Sequence, residues 1–257
     1  MAAAVAPATP HAPARELDRA LARADAYRIL ASAFRDPDDP AGEDQLDLDA
    51  LRSAAQEIGT PVDPDTWRAV DAIGQRGPRT SEHRAVFGHV VADGCPPYET
   101  EFGRRHVFGQ SQELGDIRGF YEAFGVRPRR GGERPDHAAC ELEFLSLLAL
   151  KEAIALAREE DERQALCRDA ATRFIRDHPG RWLAALAGRI SQRAPGGGYA
   201  AIASIAAALV AGHARDLGAV PERLDPDDLV PITEAADGFA FECGVDVDGG
   251  DLAPPGS

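Results

Sequence analysis

Glu133, Asp136 and His137, followed within one helical turn by Cys140 and Glu141, gather chemistry-bearing side chains in the stretch GGERPDHAACELEFLSLLALKEA at 131–153. His137, Cys140 and Glu141 lie at i, i+3 and i+4, a spacing that puts them on one helix face. Such a trio can offer metal ligands, with Glu99, Glu101 or His106 as a further donor. The pattern falls short of a metal centre, because there is no HExxH, no paired ExxH of the di-iron kind and no second cluster of ligand spacing. Acid–base chemistry fares no better. Asp136 and His137 are adjacent, so on a helix they point about 100° apart. No G-x-S-x-G elbow is present, and no cysteine has an activating neighbour in sequence. The residues point to no enzyme, no metal and no cofactor. Pro135 or Asp136 in a first helical turn suits initiation and stabilises by about 1 kcal/mol. Glu133, Arg134 and His137 remain unexplained by capping.

A second acidic set lies in the loop-like stretch PPYETEFG. Tyr98 beside Glu99 and Glu101 joins apolar area to negative charge. That pairing suits a cationic peptide, whose arginines stack on rings and form charge-assisted bonds to carboxylates. Phe120 and Phe124 read instead as ordinary core.

The elements that must position these residues are helices. Apolar residues recur at steps of three and four in ELDRALARADAYRILASAFRD, where Leu17, Leu21, Ala24, Tyr27, Leu30 and Phe34 form one face and Asp36-Pro37 ends the run. DLDALRSAAQEIG ends at Gly59, a C′ glycine. DPDTWRAVDAIGQ starts with Asp63 as N-cap and Pro64 at the first position. Further helices are expected at 81–93, 111–125, about 136–159, through DERQALCRDAATRFIRDHPG, at 181–193 and at 199–217. The stretch 94–110 reads as an ordered loop, and PITEAADGFA as at most one short turn. No strand alternation and no repeat occurs, so the fold class is all-α. The chain divides into a disordered tail (1–15), an N-terminal helical part (16–125), a basic hinge (126–134), a C-terminal helical part (135–218) and an acidic Pro/Gly-rich tail (219–257).

Composition narrows the function. The net charge is −15 and the pI near 4.9, which disfavours nucleic acid and favours basic segments of another protein. Lys151 is the only lysine, and it follows no glycine-rich turn, so there is no Walker A loop. Cys95, Cys140, Cys167 and Cys243 form no CxxC pair and read as reduced thiols of a cytoplasmic protein. The most apolar run, YAAIASIAAALVAGHA at 199–214, is shorter than the roughly 20 residues of a membrane span. MAAAVAPATPHAPA lacks the basic start of a secretory signal.

PYETEFG, DIRGFYEAFGV and ERPDHAACELEFLSLL, in that order, resemble the TorD/DmsD/NarJ family of molybdoenzyme maturation chaperones, most clearly over about 95–160. The family hallmark places Glu three residues before Asp and four before His, as Glu133, Asp136 and His137 do. The proline departs: many members carry it directly after the Glu, whereas here it is Pro135. The motifs look closer to chaperones of dimethyl sulfide or ethylbenzene dehydrogenase-type enzymes. The resemblance implies a single helical domain of the TorD-like type, with two helical subdomains about a hinge as the variant. It also implies a cytoplasmic chaperone that binds the apo catalytic subunit of a molybdenum oxidoreductase of the DMSO reductase superfamily. Contact would be at the twin-arginine signal peptide, before insertion of the bis(molybdopterin guanine dinucleotide) cofactor. Tyr98, Glu99, Tyr121, Glu133, Asp136, His137 and Glu141 are then expected to form the client-binding lip. The chain is expected as a monomer or helix-exchanged dimer. The rival expectations are a permanent non-catalytic subunit of an oxidoreductase complex and a helical enzyme or nucleotide-binding protein.

Overall fold

The computed structural model describes residues 12–38, 45–88, 95–103, 107–127 and 132–229. His106, Cys243, the PITEAADGFA segment and most of the two expected tails lie outside the described residues. Nine α-helices are present among those described: α1 (Ala12–Phe34), α2 (Leu48–Ile58), α3 (Pro64–Ala72), α4 (Arg76–Phe87), α5 (Val107–Ala123), α6 (Ala138–Ala157), α7 (Asp161–Asp177), α8 (Pro179–Arg193) and α9 (Gly198–Leu217). There is no strand among them, only isolated bridges. The fold is all-α.

The local signals behave as their chemistry requires at several ends. Asp63 caps α3 by accepting from the N–H groups of Asp65 and Thr66, and Pro64 occupies the first turn. Gly59 closes α2 in the left-handed region at φ 80°, where a Cβ would clash with its own backbone. Three starts differ from expectation. α1 begins at Ala12, inside the stretch 1–15 expected as a disordered tail, with Pro13 in its first turn. α4 begins at Arg76 rather than 81, since Pro78 falls in a first turn where its missing N–H costs nothing. α5 begins at Val107 rather than 111, and its described predecessor 95–103 is a loop with one 3-10 turn at Glu99–Glu101.

α1 and α6 form the central pair and run antiparallel: Arg35 pairs with Glu143, while further back along α1 Ala24 accepts a hydrogen bond from Ser146. α2 covers α1, α7 packs on α6, and α8 with α9 forms a second pair that α3 and α4 cover from the other side. One apolar core runs through all of it, from Tyr27, Leu30 and Phe34 through Leu142, Leu145 and Phe174 to Trp182, Ile202 and Leu209. Core residues therefore come from both sides of the 126–134 connector. α9 has 20 residues and matches a membrane span by length and composition. It is nevertheless a core helix, with Tyr199, Ile202, Ile205, Leu209 and Val210 buried.

After α9 the chain returns along α8. Leu224 N–H donates to Arg181 O (2.9 Å), Arg189 donates to Pro226 O (3.0 Å) and Gly103 N–H donates to Asp228 O (2.5 Å). This strap joins residues 224–228 to the loop at 95–103, where the Phe102 ring lies against Trp182 at 5.3 Å.

Candidate functional site

The first turn of α6 and the 95–103 loop are interlocked through the backbone. Glu99 N–H donates to Asp136 O and Ala138 N–H to Pro97 O, both at 2.9 Å, forming a bridge between Tyr98 and His137. Asp136, fully buried, accepts from Thr100 N–H (3.2 Å) and Thr100 Oγ1 (2.8 Å). Arg134 completes the lock. Its Nε and Nη2 grip both Asp136 oxygens (3.0 and 2.8 Å), Nη2 also reaches Thr100 Oγ1 (2.7 Å), and Nη1 reaches Glu101 (3.1 Å). The guanidinium lies over the Tyr98 ring at 4.5 Å, adding a cation–π contact. Tyr98 in turn donates to Glu133 at 3.3 Å. Burial, then the adjacent Glu133 carboxylate, pushes its phenol up to about 12. Arg134, for which the sequence offers no role, is the centre of the assembly.

Capping falls to a different residue than expected. His137, not Asp136, is the N-cap of α6, its Nδ1 accepting the Ala139 N–H at 3.1 Å. An acceptor Nδ1 requires the proton on Nε2. Burial pushes this imidazole down to about 3, so it stays neutral in its capping form. Asp136 and His137 both precede the helix, and His137 lies against Tyr98 edge-to-face at 5.1 Å.

Beneath this clasp is a second polar set. Glu141 is fully buried and accepts from Trp182 Nε1 at 2.9 Å. Burial, and next the charge of Glu99, holds its carboxyl well above the ordinary value. Glu99 Oε1 and Glu141 Oε1 have no donor from elsewhere. The proton on Glu141 supplies one, the two side chains being hydrogen-bonded to each other. Glu99 Oε2 is bonded to His178 Nδ1 at 3.0 Å. Tyr121, also buried, donates to Pro135 O at 2.7 Å, and burial raises its phenol well above the usual range.

The seven residues expected to form a client-binding lip are thus brought together, with different exposures. Glu133 is exposed and Tyr98 half-buried, whereas Glu99, Tyr121, Asp136, His137 and Glu141 are each at most 4% exposed. The expectation that Glu99, Asp136 and Glu141 present charge to a peptide is corrected. Their carboxyl groups point into the protein, where Arg134, Thr100, Trp182 and His178 satisfy them. A charge sealed from solvent must find internal partners, and these have done so. Among the described residues no His/Cys/Asp/Glu group has metal-ligand geometry.

His178 leads to a feature that the sequence reading missed. Between α5 and the α7–α8 junction lies a groove of about 920 Å³, lined by Gly115, Asp116 and Gly119 on one wall and by Asp177, His178 and Arg181 on the other. The one available signal was the recurrence of glycine in a helix otherwise rich in apolar residues.

The family model of the nitrate reductase delta subunit matches residues 80–188, from within α4 to within α8. It is the family of NarJ/TorD-type molybdoenzyme maturation chaperones, non-catalytic proteins that act on the catalytic subunits of molybdoenzymes. No curated protein and no solved structure matches the chain significantly. The matched stretch contains the clasp, the buried carboxyl pair and the groove's lining other than Val220 and Glu222; α1–α3 and α9 lie outside it.

Proposed function

We propose that the protein is a cytoplasmic chaperone dedicated to one molybdenum oxidoreductase of the DMSO reductase superfamily. It binds the apo catalytic subunit at its twin-arginine signal peptide and keeps it from assembly or export until bis(molybdopterin guanine dinucleotide) is inserted. The observation that carries this reading is the family match over 80–188, which takes in the clasp and everything it holds.

The physical arrangement supports a binding role. The polar residues with perturbed ionisation are satisfied by internal partners, and none of the seven lies on an open face beside a nucleophile. They build a rigid corner that joins the 95–103 loop, α6 and α8. Rigid corners position a docking surface at small entropic cost on binding. The surface offered here is acidic and partly aromatic, with Tyr98 and Glu133 at its edge, and the net charge of −15 favours basic client segments.

The test is co-purification from cells expressing the tagged chain together with the catalytic subunit of a molybdenum oxidoreductase that carries a twin-arginine leader. Capture of the apo catalytic subunit, with loss of capture once cofactor is loaded, supports the reading. Retention of the chain in the mature, cofactor-loaded enzyme on size exclusion would instead identify a permanent subunit.

A further inference from the structure

α6 is apolar on two faces. Leu142, Leu145, Leu148 and Ala149 turn inward and are buried. Leu147, Leu150 and Ile154, at steps of three and four, form a second stripe, in which Leu150 and Ile154 stay 43% and 42% exposed. A helix that is apolar all round is ordinarily enclosed on every side, and this one has a side left open. The neighbouring α1 repeats the feature. Leu21 is 42% exposed, and Leu17, one turn before it, is half-buried.

The two stripes make one patch. Arg35 lies on the same stripe of α1 as Leu21, and it pairs with Glu143, one turn before Leu147 on the stripe of α6. The helices run antiparallel and Ser146 donates to Ala24 O, so Leu21 comes level with the turn Leu150–Ile154.

The edges of this patch have opposite charge. Along α1, on the side away from α6, Asp18 and Asp25 are exposed two turns apart, and Asp18 shares a shallow depression with Glu57 of α2. Along α6, on the side away from α1, stand half-buried Lys151 and exposed Arg158, again two turns apart. Lys151 is near enough to Cys167 of α7 to act on its thiol, which fixes that edge on the α7 side. The only lysine of the chain is therefore here.

A chain of net charge −15 repels a second copy at long range, so self-association needs a patch where the signs balance. This patch balances them in sequence across its width: an acidic edge, an apolar middle and a basic edge. A two-fold axis parallel to the helices exchanges the two edges. It lays the acidic edge of one copy on the basic edge of the other while the apolar middles meet, the self-complementarity that an isologous interface requires. With 20 residues in α6, two helices side by side offer a face about 30 Å long and about 20 Å wide. That footprint of roughly 600 Å² per copy falls short of the about 800 Å² of a standard specific interface, which makes the pairing reversible.

We propose that the α1–α6 face is the interface of a reversible two-fold dimer of this chain. Leu21, Leu150 and Ile154 of the two copies pack together, and Asp18 and Asp25 of each copy face Lys151 and Arg158 of the other. Each copy keeps its own helices. Half of the face belongs to α1, outside the matched stretch 80–188, and the dimer goes beyond the chaperone reading without depending on it.

The test is sedimentation equilibrium of the full chain over a concentration series. Wild type passes from monomer to dimer in the micromolar range. Leu150→Asp, at an exposed position, leaves circular dichroism and melting unchanged and weakens dimerisation by about tenfold or more. Two charge variants read the arrangement itself. Lys151→Glu with Arg158→Glu gives a chain with two acidic edges, and Asp18→Arg with Asp25→Arg gives one with two basic edges. Each alone is monomeric with wild-type circular dichroism, and an equimolar mixture of the two forms a heterodimer. A wild-type chain that stays monomeric up to about 0.1 mM overturns the proposal, whatever else the face binds. A dimer that persists undiminished in Leu150→Asp, or a mixture of the two charge variants that stays monomeric, overturns this interface.

Discussion

The clasp at the start of α6 and the groove beside α5 are both built around carboxylates, and they use them in opposite ways. In the clasp every acidic group is answered from within: Arg134 and Thr100 hold Asp136, and Trp182 holds Glu141. The groove has open space along Gly115 and Gly119, an unpartnered His178 nitrogen and an exposed Asp116. Glu99 connects the two, touching Glu141 on one side and His178 on the other. The lesson is that a dense acidic motif can serve to fix geometry rather than to present charge.

The largest effect should come from cutting the clasp. Asp136→Ala leaves Arg134 and both Thr100 donors without their acceptor. Breaking a buried charge pair from one side costs 3–5 kcal/mol, and the half-exposed Arg134 places this case near the lower end, about 3. Urea unfolding should show that loss. A stable Asp136→Ala variant would break the distinction between the two regions.

Acid and alkali should separate two parts of the clasp. His137 is neutral when folded, down to about 3, and protonates near 6.5 when unfolded. Its contribution is present above 6.5 and is lost as pH falls through that window. Buried His213, pushed well below 6.5 by burial, adds to the same acid limb. His137→Asn keeps a capping oxygen and should flatten that limb in part. Glu141 has the opposite sign. Its raised value means the folded state keeps a proton that the unfolded chain releases above 4.5, so stability falls as pH rises past that point. Glu141→Gln, which cannot ionise, should remove this alkaline loss. Melting temperature against pH for the two variants checks both slopes.

Filling the groove should move stability the other way. Gly119→Ala adds a methyl to open space and should stabilise α5 by up to about 1 kcal/mol. A gain here beside the loss in Asp136→Ala would sharpen the contrast. The smallest effect belongs to the clasp's outer edge. Tyr98→Phe removes a 3.3 Å bond to exposed Glu133, and chemical unfolding should change by less than about 0.5 kcal/mol.

Much of this was legible before any fold was known. Periodicity placed α1, α2, α3 and α9 within a few residues, because apolar steps of three and four, a capping Asp63 and a C′ Gly59 act locally. The motif at 133–141 and the loop at 97–103 were recognisable as belonging together by resemblance, but their relation was not. The Asp136 backbone bonds to Glu99 and its side chain to Thr100, both 36 or more residues distant in sequence. Arg134 has no helical or capping signature, since its partners are brought to it only by packing.

By itself the sequence determined an all-α chain, an acidic surface, the helix ends that depend on neighbouring residues, and a chaperone resemblance that the family match supports. The tertiary structure alone decided which acidic side chains face water. Burial is a property of the packed core, where α5, α6 and α8 close around Asp136, Glu99 and Glu141, and no spacing along the chain encodes it. The same packing set His178 against Glu99, 79 residues away in sequence.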